Sequence, residues 1–246
     1  MNEAKRLYEG KAKIIYQAEE PDRVYMSFKD EATAFDGKKR GLIAGKGFFN
    51  AQISAALFQY LEGQGIPTHY LGRADERTLI VRRLAMLPVE VVVRNLAAGS
   101  ISRRLGLEEG RPLHPPVLEF YYKSDALGDP LINEYHIRAL ELATPAQVAE
   151  MAALAERVNA ALSPHLRERG LILVDFKLEF GLAEGRMVLG DEISPDTCRL
   201  WDASTQQPLD KDRFRRDLGE VEEAYAEVWR RVTGGESQWS GGPQSA

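Results

Sequence analysis

Period-two alternation is clearest between Leu171 and Asp202. In LILVDFKLEFG, Ile172, Val174, Phe176, Leu178 and Phe180 fall on one face of an extended strand. Asp175, Lys177 and Glu179 fall on the other, spaced about 6.6 Å apart by two residues of strand rise. A turn at Ala183 to Arg186, with Gly185 free to take positive φ, returns the chain as MVLGDEI. Two registers are open. A three-residue loop pairs Ala183 with Met187 and sets Glu179 opposite Asp191, two carboxylates that repel unless a cation lies between them. A two-residue loop puts Asp191 on the opposite face unless a bulge restores it. An ordinary hairpin with one solvated face gives the same alternation.

Elsewhere the pattern predicts a hairpin over Arg6 to Gln17, turning at Glu9-Gly10-Lys11-Ala12, with Lys11 and Lys13 projecting from it. Val24 to Lys29 reads as a strand. The polar stretch FKDEATAFDGKKRGLIAGKG follows, carrying Asp36 and longer than most connections. Gly47 to Glu62 has apolar residues at helical spacing. THYLGR and TLIVRRLAML read as strands, and VEVVVRN as a buried one. Arg94 ends that strand just before Gly99 and the short helical run ISRRLGL, with Ser100 as its N-cap. That arrangement suits an anion, as it also suits a merely capped helix. Arg111 to Pro130 holds four prolines and reads as loop and extended chain presenting Lys123 and Asp125. Thr144, Pro145 and Gln147 open a long helix that Pro164 kinks or divides. Asp212 to Arg231 reads as one amphipathic helix, and GGESQWSGGPQSA as a disordered tail.

Composition narrows the class. The chain has 246 residues, 44% of them hydrophobic, enough for a substantial core. A net charge of −5 gives no basic excess for nucleic acid or an anionic membrane. No apolar run approaches the roughly 18 residues of a spanning helix. One cysteine, Cys198, leaves no disulfide framework. These features fit a cytoplasmic protein. The change of texture near residue 88 suggests a β-rich part over 1–88, a second part over 89–233 and the tail over 234–246.

LYEGKAKIIY, FKDEATAFDG, KGFFNAQIS, PVEVVVRNLAAGSISRRLG, KSDALGDP, LILVDFKLEFG and LGDEISPDTCRLWD, taken in that order, resemble the phosphoribosylaminoimidazole-succinocarboxamide synthase (SAICAR synthetase) family. The resemblance implies an α+β, two-lobed fold, with an N-terminal antiparallel β lobe like that of protein kinases and a nucleotide cleft between lobes. It implies an ATP- and Mg²⁺-dependent ligase of purine biosynthesis. The substrates are 5-amino-1-(5-phosphoribosyl)imidazole-4-carboxylate (CAIR) and L-aspartate, and the assembly a homodimer. By motif, Lys11 and Lys13 meet ATP phosphates, Met86 lies by the adenine, and Glu179 and Asp191 hold Mg²⁺. Arg94, Ser100 and Arg199 bind the ribose phosphate. Lys123, Asp175 and Lys177 line the reaction centre, with Asp175 as the base, and Asp36 acts at the imidazole carboxylate or its metal. Arg82 and Arg83 stand where relatives often carry lysine, so a nucleotide contact from them differs.

Overall fold

A computed structural model describes residues 5–34 and 39–235. Five antiparallel strands form the first sheet: β1 (Arg6–Glu9), β2 (Lys13–Gln17), β3 (Arg23–Phe28), β6 (Tyr70–Arg73) and β7 (Thr78–Arg82), in the order β1-β2-β3-β7-β6. Val24, Met26 and Phe28 alternate inward from β3. They meet α1 (Lys46–Gly63), which buries Phe49, Ile53, Leu57, Phe58 and Leu61. Phe58 stacks on Tyr70 with ring centroids 6.2 Å apart. The polar stretch after β3 is not all loop. It forms a two-stranded ribbon, β4 (Glu31–Ala34) with β5 (Lys39–Leu42).

The second sheet has six strands. Its path is β10 (Leu131–Ile132), β9 (Pro112–Tyr122), β8 (Ala85–Leu96), β11 (Leu171–Ala183), β12 (Arg186–Gly190). β13 (Cys198–Asp202) shares the β12 edge, pairing with the first half of β11. TLIVRRLAML is therefore divided. Its first half belongs to one sheet and Ala85 onward to the other. A parallel bridge between Thr68 and Leu189 ties the sheets together, with His69 N donating to Leu189 O at 2.9 Å.

β9 is one continuous strand where a mix of loop and extended chain was expected. Its prolines are tolerated because Pro115 and Pro116 fall between the paired positions Pro112 and Val117, where the register with β8 shifts. β10 covers only its last residues.

The short helix α2 (Ser100–Leu105) is capped by Gly99, not Ser100, at φ 62. A further short helix, α3 (Glu134–Ala139), opens on a capping box between Asn133 and His136. α4 (Pro145–Arg167) carries the expected Thr144–Gln147 box and runs through Pro164 undivided. It buries Val148, Met151, Leu154, Val158 and Leu162 in the shared core. The last predicted helix is two, α5 (Asp212–Arg215) and α6 (Val221–Thr233), because Gly219 and Glu220 both take positive φ.

β11 departs from simple alternation. A bulge between Leu173 and Asp175 shifts the parity. Leu171 and Leu173 enter the main core with Phe176, Leu178 and Phe180, while Ile172 and Val174 pack with Ala98 and Trp201 on the other side.

Candidate active site

The β11–β12 hairpin adopts the two-residue register. Ala183 pairs with Arg186 and Glu179 with Gly190, through a turn in which Glu184 and Gly185 have φ of 51° and 77°. Asp191 nonetheless reaches the charged face. It lies one residue past the end of β12, and its own φ of 57° redirects the chain. The three-residue register expected as one alternative is thus wrong. No ladder bulge was needed to bring the two carboxylates together.

Register across the sheet builds the rest. Glu90 of β8 stands opposite Glu179, and Arg94 opposite Asp175. On the far edge Arg199 of β13 also pairs with Asp175. Two carboxylates directly opposite would repel. Lys177 relieves this, with Nζ 2.8 Å from Glu90 Oε1 and 2.5 Å from Glu179 Oε1. It also lies 3.8 Å from Asp191 Oδ2. Lys123 bonds the second Glu179 oxygen. Lys13 comes from the first sheet to bond Asp191, and lies 2.9 Å from Glu192. Lys11 pairs with Asp125 at 2.7 Å.

Electrostatics follow from this pairing. Burial disfavours the Asp191 carboxylate, but the charges of Lys13, Lys177 and Lys123 outweigh it and hold the group well below the usual range. Glu179 is pushed up by burial and Asp191, yet its lysines win and it too is lowered. Glu90 is raised, because burial and the Glu179 charge outweigh Lys177 and the weaker pull of Lys123. His69 lies beside Asp191, and burial brings its imidazole down to about 4. Its Nε2 is buried without a hydrogen-bond partner among the described residues. Burial pushes the Cys198 thiol up, so it is an inert core group.

These groups line a cleft of about 680 Å³. Ile15, Val24, Met26, Val81, Leu84 and Met86 give it an apolar wall, and Lys13, Lys123, Lys177, Glu179 and Asp191 a charged floor. An apolar slot above fixed charges suits a flat base carrying phosphates. Arg82 and Arg83 also line it.

Arg94, Ser100, Asp175 and Arg199 form an adjoining cluster. Arg94 gives Nη1 to Asp175 at 2.5 Å, Nε to Glu119 at 2.7 Å, and Nη2 to Ser100 Oγ and Tyr121 OH at 3.1 Å each. Arg199 gives Nη1 to both Asp175 oxygens, at 2.7 and 3.0 Å, and Nε to Asp212 at 2.8 Å. Its Nη2 has no protein partner among the described residues and lies where a Cβ on Gly99 would stand. Both Asp175 oxygens are taken by guanidinium groups, so its geometry is that of a counter-ion and not of the expected base.

The structure thus gathers Lys11, Lys13, Met86, Lys123, Lys177, Glu179 and Asp191 into one cleft, with Arg94, Ser100, Asp175 and Arg199 beside it. Asp36 lies outside the described residues. Glu90, His69, Glu192, Asp196 and Lys211 were missed. Glu90 was visible, because Glu90 and Arg94 share a face of an otherwise apolar strand. Asp196 and Lys211 carry no local signal.

Comparison with known proteins places the chain in a family. The family model described as SAICAR synthetase matches residues 6–232. The phosphoribosylaminoimidazole-succinocarboxamide synthase of Desulfitobacterium hafniense is 55% identical over 232 residues, covering 94% of this chain and 98% of that one. The Acidithiobacillus ferrooxidans enzyme of the same name is 56% identical over 232 residues, covering 94% and 97%. A solved SAICAR synthetase in complex with ADP superposes with a TM-score of 0.91 at 50% identity, covering 94% of this chain and 99% of that chain. That of Ehrlichia chaffeensis gives 0.92 at 44%, covering 94% and 100%. A family match over nearly the whole chain, with relatives more than half identical along it, means that this chain belongs to the SAICAR synthetase family.

Proposed function

We propose that this protein is the ATP-dependent ligase that joins L-aspartate to CAIR, giving the succinocarboxamide, ADP and phosphate. The observation that carries the reading is the convergence of Lys13, Lys123, Lys177, Glu179 and Asp191 at the floor of one apolar-walled cleft. In this account 1–88 covers the nucleotide and 89–233 carries the substrate and metal groups, in a cytoplasmic homodimer.

A carboxylate is a poor electrophile. The reaction needs its oxygen converted to a better leaving group. The CAIR carboxylate oxygen takes the γ-phosphoryl group, the bond to the bridging oxygen breaks, and ADP leaves with that electron pair. The aspartate ammonium first gives a proton to water; its amine then attacks the acyl carbon, the carbon–oxygen bond to phosphate breaks, and phosphate leaves with that electron pair while the surplus nitrogen proton passes to water. Lys11 and Lys13 hold the nucleotide phosphates, and Lys123 and Lys177 stabilise charge on the transferring oxygens. Arg199 and Ser100 hold the ribose phosphate. Arg94 has four hydrogen bonds to protein, so it acts mainly by fixing Asp175 and Ser100.

Glu179 and Asp191 fit a magnesium ion. Both are carboxylates, hard oxygen donors of the kind such a cation takes beside phosphate and water, and both face one point, since Lys177 Nζ lies 2.5 Å from Glu179 and 3.8 Å from Asp191. The chemistry such an ion supplies when bound is charge neutralisation on phosphate oxygens.

The test is ADP release with ATP, Mg²⁺, CAIR and L-aspartate, each omitted in turn. Release only with all four, with an amide of the expected mass, supports the ligase. Release that does not require the amine points to a kinase or hydrolase and overturns it.

A further inference from the structure

Most lysines of the cleft have carboxylates to themselves or in shared balance. Lys13 has Asp191 and Glu192, and Lys123 and Lys177 share Glu179 and Glu90. One corner is different. Lys46 and Lys211 share Asp196, at 2.8 and 3.6 Å, and Glu192 acts on Lys211 from farther off. Lys46 is fully buried and takes the better position, on the Oδ2 of Asp196, while Tyr225 OH donates to Oδ1 at 2.6 Å. Lys211 therefore has no close carboxylate to itself: Asp196 is taken first by Lys46, and Glu192 by Lys13. Lys46 lies behind the cleft. Lys211 lines it, beside Asp196 and Thr197.

Lys211 also stands at a junction. Its backbone N–H donates to Pro195 O at 3.1 Å, which fixes it to the loop after Glu192. Its chain neighbour Asp212 holds Arg199 at 2.8 Å and Arg215 at 2.6 Å. Lys211 therefore sits between the loop that leads back to the Lys13–Glu192 corner, where the nucleotide phosphates are placed, and Asp212, which holds Arg199 where the ribose phosphate is placed. The imidazole carboxylate has to lie between those two anions.

We propose that Lys211 is a further catalytic residue, whose ammonium holds the CAIR carboxylate while its oxygen accepts the phosphoryl group. The proposal rests on the ligase reading above. Burial lowers the pKa of the Lys211 ammonium despite Asp196, so the free site holds this charge at a cost that an incoming anion offsets. The proton stays on Lys211 throughout. The electron pair of the broken bond leaves with ADP. Lys46 and Tyr225 are positioning residues that hold Asp196 and, through it, the lysine.

The experiment compares wild type with Lys211→Met, which keeps the length and loses the charge, and Lys211→Arg, which keeps the charge. Steady-state turnover with all four components, ADP affinity and the urea unfolding curve are measured on each. Lys211→Met is expected to lower turnover by on the order of 10²-fold, with ADP affinity and the unfolding midpoint unchanged. Lys211→Arg is expected to recover about tenfold of that loss. Wild-type turnover in Lys211→Met overturns the proposal. So does a loss of turnover matched by loss of ADP binding or of the folded state, which makes the lysine structural. A wild-type protein without ligase activity overturns the underlying reading instead.

Discussion

Lys13, on the second strand of the chain, bonds the Asp191 carboxylate 178 residues away and so joins the two sheets across the cleft. Both side chains are mostly buried. Removing one partner of such a pair leaves the other buried and unmatched. Lys13→Met is expected to weaken ADP binding by about tenfold or more and to cost roughly 3 kcal/mol of stability. Calorimetric ADP titration and urea unfolding read the two effects separately. Asp191 is held below the usual carboxylate range, so its contribution is present above about pH 4 and is lost as pH falls further.

Glu179→Gln and Asp191→Asn each remove one charge from the proposed metal pair. Both variants are expected to bind ADP with little or no enhancement by Mg²⁺. A titration of ADP affinity against Mg²⁺ checks this. Unchanged metal dependence in both variants contradicts the assignment.

Asp175 is clasped between Arg94 and Arg199. Asp175→Asn would leave two buried guanidinium groups short of their shared counter-charge. A loss of roughly 3–5 kcal/mol is expected in denaturant unfolding, with CAIR affinity falling alongside. A stable variant with normal CAIR affinity and no turnover would restore Asp175 to the role of base.

Gly99 has φ 62 and ψ −121, and a Cβ there would sit 2.4 Å from Arg199 Nη2. Gly99→Ala is expected to displace Arg199, raising KM for CAIR by about tenfold while ADP affinity holds, with a backbone cost of about 1–3 kcal/mol. Initial rates against CAIR concentration check the first part, and urea unfolding the second.

Two buried groups should give stability opposite pH slopes. Burial brings His69 down to about 4, so the unfolded chain binds the extra proton between there and about 6.5 and stability rises with pH. Burial and the neighbouring Asp212 charge push Asp210 up to about 7, so the folded chain binds the extra proton and stability falls as pH rises from about 4. In Asp210→Asn the His69 slope remains, up to about 1.4 kcal/mol per pH unit between about pH 4 and 6.5. In His69→Gln the Asp210 slope remains, with the opposite sign. Urea unfolding across that range reads both. Parallel profiles in wild type and both variants contradict the assignment.

Much of this site was legible because strand parity is a local signal. Asp175, Lys177 and Glu179 declare a charged face without any knowledge of what opposes it. The hairpin register was not legible, since both loops fit the same letters and the decision rests on the αL conformations of Glu184 and Gly185, with that of Asp191 turning it back to the charged face. The bulge that sends Ile172 and Val174 to a second cluster is likewise silent in an unbroken apolar alternation. Prolines masked β9, because their tolerance depends on where β8 and β10 leave it unpaired. The Lys46–Asp196–Lys211 corner depends on contacts between residues as far as 150 positions apart and has no sequence pattern at all.

The most direct test of the account follows the oxygen. CAIR carrying a heavy oxygen isotope in its carboxylate is turned over with ATP, Mg²⁺ and L-aspartate, and the released phosphate is analysed by mass. Activation of the carboxylate by phosphoryl transfer predicts transfer of one heavy oxygen to each phosphate as the amide forms. Phosphate released without the label would contradict carboxylate activation in this cleft.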